Sequence, residues 1–414
     1  MNTWDTFDFG QEAEKFLKFL GEYGKDPEGG ISRFLYRPEW TAAQKALENY
    51  MEENGFVVRY DDVGNLFGRL EGTQYADETI LTGSHIDTVK NAGLYDGQFG
   101  IVAGIIAIMY LKEKYGQPLR NIEVVSMAEE EGSRFPYAFW GSKNILGIAK
   151  REDVEKMVDF DGIPFIEAMR KAGFAFRTED SVLRKDLKAF LEVHVEQGGV
   201  LEIEKKSVGI VDSIVGQRRF TIEIIGEANH AGTTPMGYRK DALYAASKII
   251  CEIVDIVKGY GDPMVATIGK VEVEPNIVNV VPRRTLFTLD ARHTDKNILI
   301  EFTEKVTAIM NRVAEQAKVD INVDMWMDVD PVPMDPAIVE VLKRQCEKNE
   351  LSYKMMHSGA GHDSQIMAKA IPTAMLFVPS HNGISHSPLE YTDPKDLADG
   401  IKALISALYE LAYT

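Results

Sequence analysis

Apolar positions change their spacing twice along this chain. In the first half, short apolar runs alternate with longer helical ones. "ETILTGSHIDT", from Glu78, predicts a buried strand running into a polar end. "IVAGIIAIMYLKEKYG", from Ile101, predicts a helix stopped at Gly116. "NIEVVSMAEEE", from Asn121, is a second strand, and "AFLEVHVEQG", with Leu191, Val193 and Val195 alternating, is another. Strands alternating with helices predict an α/β layered domain with a mainly parallel sheet. Ligands of such sheets bind beyond the carboxyl ends of the strands. His85, Glu131 and His194 fall at or near those ends.

Near residue 213 the period changes. "RRFTIEIIGE" alternates Phe220, Ile222 and Ile224 with Thr221 and Glu223, as a half-buried strand does. The helix "DALYAASKIICEIVDIVKGYG" follows, then strands "MVATIGKVEVE" and "RTLFTLDARHT", the helix "NILIEFTEKVTAIMNRVAEQA" and the strand "VDINVDMWMDV". The order β-α-β-β-α-β is that of a small split βαβ, ferredoxin-like sandwich. Beyond Pro331 the α/β pattern resumes with helix "PAIVEVLKRQCEKN", strands "SYKMMHS" and "PTAMLFVP", and a helix from Pro394. The expected arrangement is one large α/β domain, residues 1–212 and 330–414, interrupted by a smaller α+β domain over 213–329.

Composition narrows the function. The chain has 414 residues, 45% hydrophobic and 27% charged, enough for two or three domains with their own cores. A net charge of −18 repels phosphate backbones, which argues against nucleic acid and for divalent cations. An anionic substrate then needs locally placed arginines. Two cysteines, Cys251 and Cys346, exclude a disulfide framework and a thiolate zinc site, and both are expected as buried free thiols. The acidic start "MNTWDTFDFGQEAEKF" lacks an apolar signal-peptide core, and the run "IVAGIIAIMYL" is too short to span a bilayer. A soluble, cytoplasmic protein without membrane contact is expected.

Three groups of residues invite chemistry. In "GSHIDTVKNAGLYDGQFG" (83–100), His85 stands two residues from Asp87, and Asp96 precedes Gly97. Asp87 could fix the tautomer of a metal-binding His85, or the segment could be a loop with ordinary hydrogen bonds. In "SMAEEEGSRFPY" (126–137), Glu129, Glu130 and Glu131 crowd at a strand end. Adjacent carboxylates repel unless a cation compensates. One could ligate a metal while its neighbour serves as general base, or the run could be a solvated acidic loop. His194 and His386 are further candidates. Together, His85, Asp96, Glu131, His194 and His386 could hold two metals. In the inserted domain, His230, Asn279 and Arg292 lie in turn-like segments, where loop capping is the alternative. Arg218, Arg219 and Arg292 could bind a carboxylate in bidentate fashion.

The motifs "GSHIDTV", "DGQFG", "AEEEGSRFP", "HVEQG", "VGQRR", "NHAGTTPM", "NVVP", "SGAGHD" and "GISHSP" together resemble the dinuclear metal amidohydrolases of the aminoacylase and carboxypeptidase superfamily. The branch is that of N-carbamoyl-L-amino-acid hydrolases, β-ureidopropionases and allantoate amidohydrolases. The resemblance covers nearly the whole chain. "GGISRFLYRPEW", "FPYAFWGSKNI" and "HAGTTPMGYRKDA" look closest to the members that cleave allantoate.

The resemblance implies a zinc-peptidase-like catalytic domain and an inserted domain that is both lid and dimerisation surface. It implies two divalent metals per subunit, manganese or zinc. Asp96 bridges them, His85 and His194 complete one site, and Glu131 and His386 complete the other. Glu130 is the implied general base and Asp87 the partner of His85. His230 and Asn279 match lid residues that polarise the scissile carbonyl, often from the partner subunit. Arg219 and Arg292 match positions that hold the substrate carboxylate, with Gln217, Gly359 and His362 as further pocket residues. Glu129 is left without a catalytic role, either structural or supporting its neighbours from behind. The implied reaction is hydrolysis of a ureido acid, with allantoate as substrate, by a homodimer. The rivals are an N-carbamoyl-L-amino-acid hydrolase, a dipeptidase or aminoacylase, and a binding protein that keeps the fold without the activity.

Overall fold

The apolar run before His85 is the strand Tyr75–His85, the seventh-to-last of whose residues begins an unbroken buried stretch. It lies at the centre of a sheet in the computed structural model, which describes residues 7–178 and 184–414. The first six residues of the acidic N-terminal segment lie outside the described residues. Tyr75–His85 pairs in parallel with Arg120–Met127 on one side and Leu187–Val195 on the other, and Leu187–Val195 pairs in parallel with Thr373–Val378. These inner strands are buried almost throughout, as parallel strands covered on both faces must be.

The flanks are antiparallel, so the sheet is mixed. Leu66–Leu70 runs against Arg120–Met127, and Val57–Tyr60 folds back on it as a hairpin. The hairpin turn is held by Asp61, whose Oδ1 accepts from the N–H groups of Val63, Gly64 and Asn65 at 2.9–3.1 Å. On the far side Val208–Ile214 runs against Thr373–Val378.

The helix Gln98–Tyr115 has almost no polar face over its first fourteen residues, because it is enclosed between the sheet and the helices Phe9–Leu20 and Pro394–Tyr413. It ends at Gly116, whose φ of +77° lets the chain turn away.

The chain divides into two compact units: one runs to Asp212 and resumes at Met334, and the other is Ser213–Pro333. The expected return was at residue 330. In the second unit the strands Val271–Glu274, Arg284–His293, Gly216–Ile225 and Asp320–Val329 lie side by side in that order, all antiparallel. The helices Ala242–Tyr260 and Lys296–Ala317 cover one face, burying Phe220, Ile222, Ile224, Phe287 and Leu289 against Ile249 and Phe302. "MVATIGKVEVE" is two short strands, Val265–Thr267 and Val271–Glu274, interrupted around Gly269, a poor strand former.

One expectation is corrected. Cys346 is buried, but Cys251 is exposed. The helix Ala242–Tyr260 buries only one stripe, Ala242, Ala245, Ala246, Ile249 and Ile253, and Cys251 lies outside it. Among the described residues, no helix is long and apolar enough to cross a membrane.

Candidate active site

The carboxyl ends of the parallel strands carry the candidate residues of the first unit. His85 is the last residue of its strand and is in register with Met127, two residues before Glu129. His194 is in register with Phe377 on the strand that leads into the His386 loop. Chain topology alone therefore brings segments more than 250 residues apart to one edge.

Asp96 is the centre of the group. Its Oδ1 lies 3.5 Å from His85 Nε2 and 3.3 Å from His194 Nε2. Its Oδ2 lies 3.1 Å from His386 Nε2, which is itself 3.4 Å from Glu131 Oε1. Three sets place one ligand atom each within 4.8 Å of the others: His85, Asp96 and His194; Asp96, Glu131 and His386; His85, Glu130 and Glu131. The first two sets share Asp96, one oxygen facing each. Gly97 follows in the left-handed region, φ +68°, and a Cβ there would overlap the His85 ring. Only glycine lets Asp96 come so close to His85.

The histidine tautomers follow from their other nitrogens. His194 Nδ1 is 2.9 Å from the Val195 carbonyl, and His85 Nδ1 is 3.1 Å from the Asp87 carbonyl and 3.3 Å from its Oδ1. An N–H donated there leaves an Nε2 lone pair aimed at Asp96. Gly97 N–H also donates to His194 Nε2 at 3.1 Å, and imidazole nitrogens facing one carboxylate oxygen suit a cation between them, a proton or a metal.

The three glutamates separate by partner. Asp87 accepts from the backbone N–H of Glu130 at 2.9 Å and of Glu131 at 3.1 Å, so it holds the run and His85 at once. Glu129 is buried, and its Oε1 accepts from Ser133 N–H at 3.2 Å within the turn. Glu130 is largely buried and no hydrogen bond to a described side chain holds its carboxylate. Burial, with Glu131 and Asp363 adding to it against the pull of His85, pushes the Glu130 carboxyl well above its ordinary range. Burial and Asp96 push Glu131 up to about 7. His386 is raised to about 9 by its hydrogen bond to Asp96, which outweighs burial. Burial alone would raise Asp96, but hydrogen bonds from His194, His386 and His85 outweigh it and hold it well below its ordinary range.

Divalent metal fits these residues. The centre gathers the carboxylates of Asp96, Glu130 and Glu131 with the imidazoles of His85, His194 and His386, the donor set that holds divalent ions. Glu131 Oε1 is buried without a hydrogen-bond partner. The donors are nitrogen and oxygen, without thiolate, as hard and borderline divalent ions prefer.

Residues of the second unit form their own constellation. Period two along Gly216–Ile225 buries Arg218 on the helix side, where it bonds Asp328, the Leu299 carbonyl and Thr303 at 2.8–2.9 Å. Gln217 and Arg219 point to the other face. There the register sets Arg219 opposite Asp290 and Gln217 opposite Arg292. Asp290 accepts from Arg219 Nε at 2.8 Å and from Arg292 Nε and Nη2 at 3.0 and 2.9 Å. With its amide turned to the better orientation, Gln217 accepts from Arg292 Nη1 at 2.8 Å. The Arg219 guanidinium sits 5.6 Å from the centre of the Trp326 ring.

His230 is exposed and in register with Val280, next to Asn279, whose carbonyl accepts from Ala231 N–H at 2.9 Å. His230 Nδ1 accepts from Gly232 N–H at 3.0 Å, so the neutral ring carries its proton on Nε2. His362, in the first unit, is buried, bonds Ser358 Oγ at 3.0 Å and packs edge-on to His194, 4.7 Å between ring centres. Gly359 is exposed in the same turn.

Several polar groups around Asp96 escaped the sequence reading. Gln197 Nε2 donates to Asp96 Oδ2 at 2.8 Å. Ser385 and Glu390 flank His386 in sequence and meet Asp96 as well. Arg33 is fully buried and bonds the Ile86 carbonyl and Gln98 Oε1, tying the segments after His85 and Asp96 together. Buried Asp363 accepts from Ser142 Oγ at 2.5 Å, linking the "GHD" turn to the helix after the glutamates. Gln197 and Ser385 stand within "HVEQG" and "GISHSP", and Glu390 lies just beyond the latter. Arg33 had no signal beyond its place in "GGISRFLYRPEW".

Residues 81–410 match the model of peptidase family M20/M25/M40. The chain is 52% identical over 405 residues to an allantoate amidohydrolase of Escherichia coli (strain K12), covering 98% of each. It is 44% identical over 398 residues to an allantoate amidohydrolase of Bacillus subtilis (strain 168), covering 96% of this chain and 97% of that one. Its fold is similar to the crystal structure of a hydantoinase/carbamoylase-family amidase from Burkholderia multivorans, with a TM-score of 0.92, 32% identity and 98% of each chain covered.

Proposed function

The chain belongs to peptidase family M20/M25/M40, and from that premise we propose that it is a metal-dependent amidohydrolase of allantoate, acting in purine catabolism. The observation that carries this reading is the convergence on Asp96 of His85, His194, Glu131 and His386, with Glu130 beside them. The chain's greater identity to the two allantoate amidohydrolases than to the carbamoylase-family structure supports allantoate over an N-carbamoyl-L-amino acid.

His85, Asp96 and His194 would hold one divalent ion, and Asp96, Glu131 and His386 a second, manganese or zinc. When bound, such ions polarise a carbonyl and lower the pKa of water. Glu130 takes a proton from the attacking water, whose oxygen bonds to the ureido carbon. The bond between the ureido carbon and the nitrogen carried by the substrate's central carbon then breaks, and Glu130 delivers the proton to that departing nitrogen. Ureidoglycine and carbamic acid result, and the latter falls apart to ammonia and carbon dioxide. Arg292, with Arg219 and Gln217, receives the substrate carboxylate. His230 Nε2–H donates to the carbonyl oxygen as charge develops there, with Asn279 beside it. Asp87 holds His85 and the backbone of Glu130 in place. Gly359 and His362 complete the pocket.

The second unit is proposed as lid and dimerisation domain of a homodimer. Its edge strand Asp320–Val329 supports this, since it exposes Val323, Met325 and Trp326. A cytoplasmic setting belongs to the same proposal, supported by two free thiols.

The test is ammonia release from allantoate and N-carbamoyl-L-amino acids, and amino-acid release from dipeptides, by protein supplied with manganese or zinc. Allantoate should give the highest kcat/KM, by roughly tenfold or more, a transition-state difference of about 1.4 kcal/mol. A higher kcat/KM for an N-carbamoyl-L-amino acid would replace this reading with the carbamoylase one.

A further inference from the structure

Glu390 occupies a place that electrostatics alone disfavours. It is 5% exposed, and its neighbour across the loop is another carboxylate, Asp96, which helps to raise it. No lysine or arginine pairs with it among the described residues. Its hydrogen bonds explain the placement. Oε2 accepts from the backbone N–H groups of Tyr95 and Asp96 at 2.9 and 3.2 Å. Oε1 is 2.9 Å from Ser385 Oγ, which is 3.1 Å from Asp96 Oδ2. Backbone and side chain of Asp96 are thus both tied to the loop that carries His386. The geometry also accounts for Gly93: a Cβ there would collide with the Glu390 carboxylate and side chain. The φ of Gly93 lies outside the left-handed region, so close approach, not backbone conformation, is what requires glycine.

We infer that Glu390 is a positioning residue for Asp96. It locks the loop of the shared carboxylate to the loop of His386, so that Asp96 presents one oxygen to His85 and His194 and the other to His386. Ser385 completes the clamp, and Gly93 makes room for it. This inference rests on the reading of Asp96 as a ligand shared by two metals. Outer partners that orient metal ligands commonly change affinity by roughly 10–100-fold when removed.

Two variants separate position from charge. Glu390→Gln keeps the shape and removes the charge and one acceptor oxygen. Gly93→Ala keeps every polar group and pushes Glu390 aside. The probe is manganese, read as ions bound per chain by elemental analysis, as affinity by competition with a chelator, and as spin coupling between ions by electron paramagnetic resonance. Thermal melting of the metal-free forms checks folding, and if one variant fails to fold the other decides. Wild type should bind two manganese ions with a coupled spectrum; failure to do so would overturn the two-metal reading and this inference with it. Given that behaviour, both variants should bind manganese about 10–100-fold more weakly and lose the coupled signal. In the double variant the losses should not add, because both changes break one clamp. Wild-type affinity and coupling in Gly93→Ala would overturn the positioning role, whatever Glu390→Gln does and however far melting falls.

Discussion

Glu130 and Glu131 differ by one position and by everything around them. Glu131 lies 3.4 Å from His386, within reach of a ligand set, whereas no described side chain bonds Glu130. Glu130→Gln should therefore leave metal content near wild type and lower kcat by about 10²–10⁴-fold, the span of general acid–base catalysis. Retained kcat would remove Glu130 from the role of base. At the same scale, the two thiols should behave differently. Cys251 is exposed, while burial pushes the Cys346 thiol up to about 12. A thiol reagent at pH 8 should modify one cysteine in the native protein and the second only on unfolding. Rapid labelling of both would contradict the packing of the helix Pro336–Lys348. The candidate ligands were visible in the sequence because histidine and carboxylate stand out beside glycine at strand ends. Glu390 and Gln197 were not, because a polar residue in or beside a recognised motif carries no sign of which neighbour it bonds. Cys251 was misjudged because its surrounding run is apolar although only one stripe of the helix faces the core.

Strand period decides which arginine does what. Neighbours Arg218 and Arg219 were indistinguishable in sequence except by motif position, yet alternation sends them to opposite faces of the sheet. Arg218→Ala should cost about 1.5–3 kcal/mol of stability through lost charge-assisted hydrogen bonds, with KM unchanged. Arg292→Ala should raise KM by roughly 10–100-fold if it receives the substrate carboxylate, and an unchanged KM would exclude that role. Melting curves and steady-state kinetics on both variants make the comparison.

The opposite ends of the parallel strands hold a different cluster. Asp186, just before Leu187–Val195, bonds Arg184 at 2.7 Å and Thr79 Oγ1 at 2.6 Å. Burial would raise its carboxyl, but Arg184 and Thr79 outweigh it and hold it below its ordinary range. A depressed folded pKa contributes stability above the unfolded value and loses it as pH falls. Asp186→Asn should then be less stable than wild type at pH 7, and the gap should start to narrow below about pH 4 and close as pH falls through the depressed folded value. A gap that persists in acid would mean that the carboxylate charge is not what matters.

At the scale of the whole molecule, the alternation of strands and helices was enough to read an α/β layered fold, and the change of period near residue 213 pointed to the second unit. The antiparallel flanks of the main sheet were not legible, because a buried strand reads the same in either direction. The centre on Asp96 was legible only through the resemblance, since it joins segments whose proximity comes from the pairing of strands across the sheet. Subunit cooperation is a prediction at this scale. His230→Ala and Glu130→Gln, each inactive alone, should regain part of the activity when mixed if His230 acts across a dimer. Absence of recovery after verified subunit exchange would confine each site to one chain.

The most direct measurement is a metal titration of the chelated protein, following ammonia release from allantoate. Activity should be absent without metal, rise with added manganese or zinc and level off near two ions per chain, while Glu130→Gln binds the same ions without turnover. Full activity in the chelated protein, or metal binding undiminished when both Asp96 and His386 are replaced by alanine, would contradict the account.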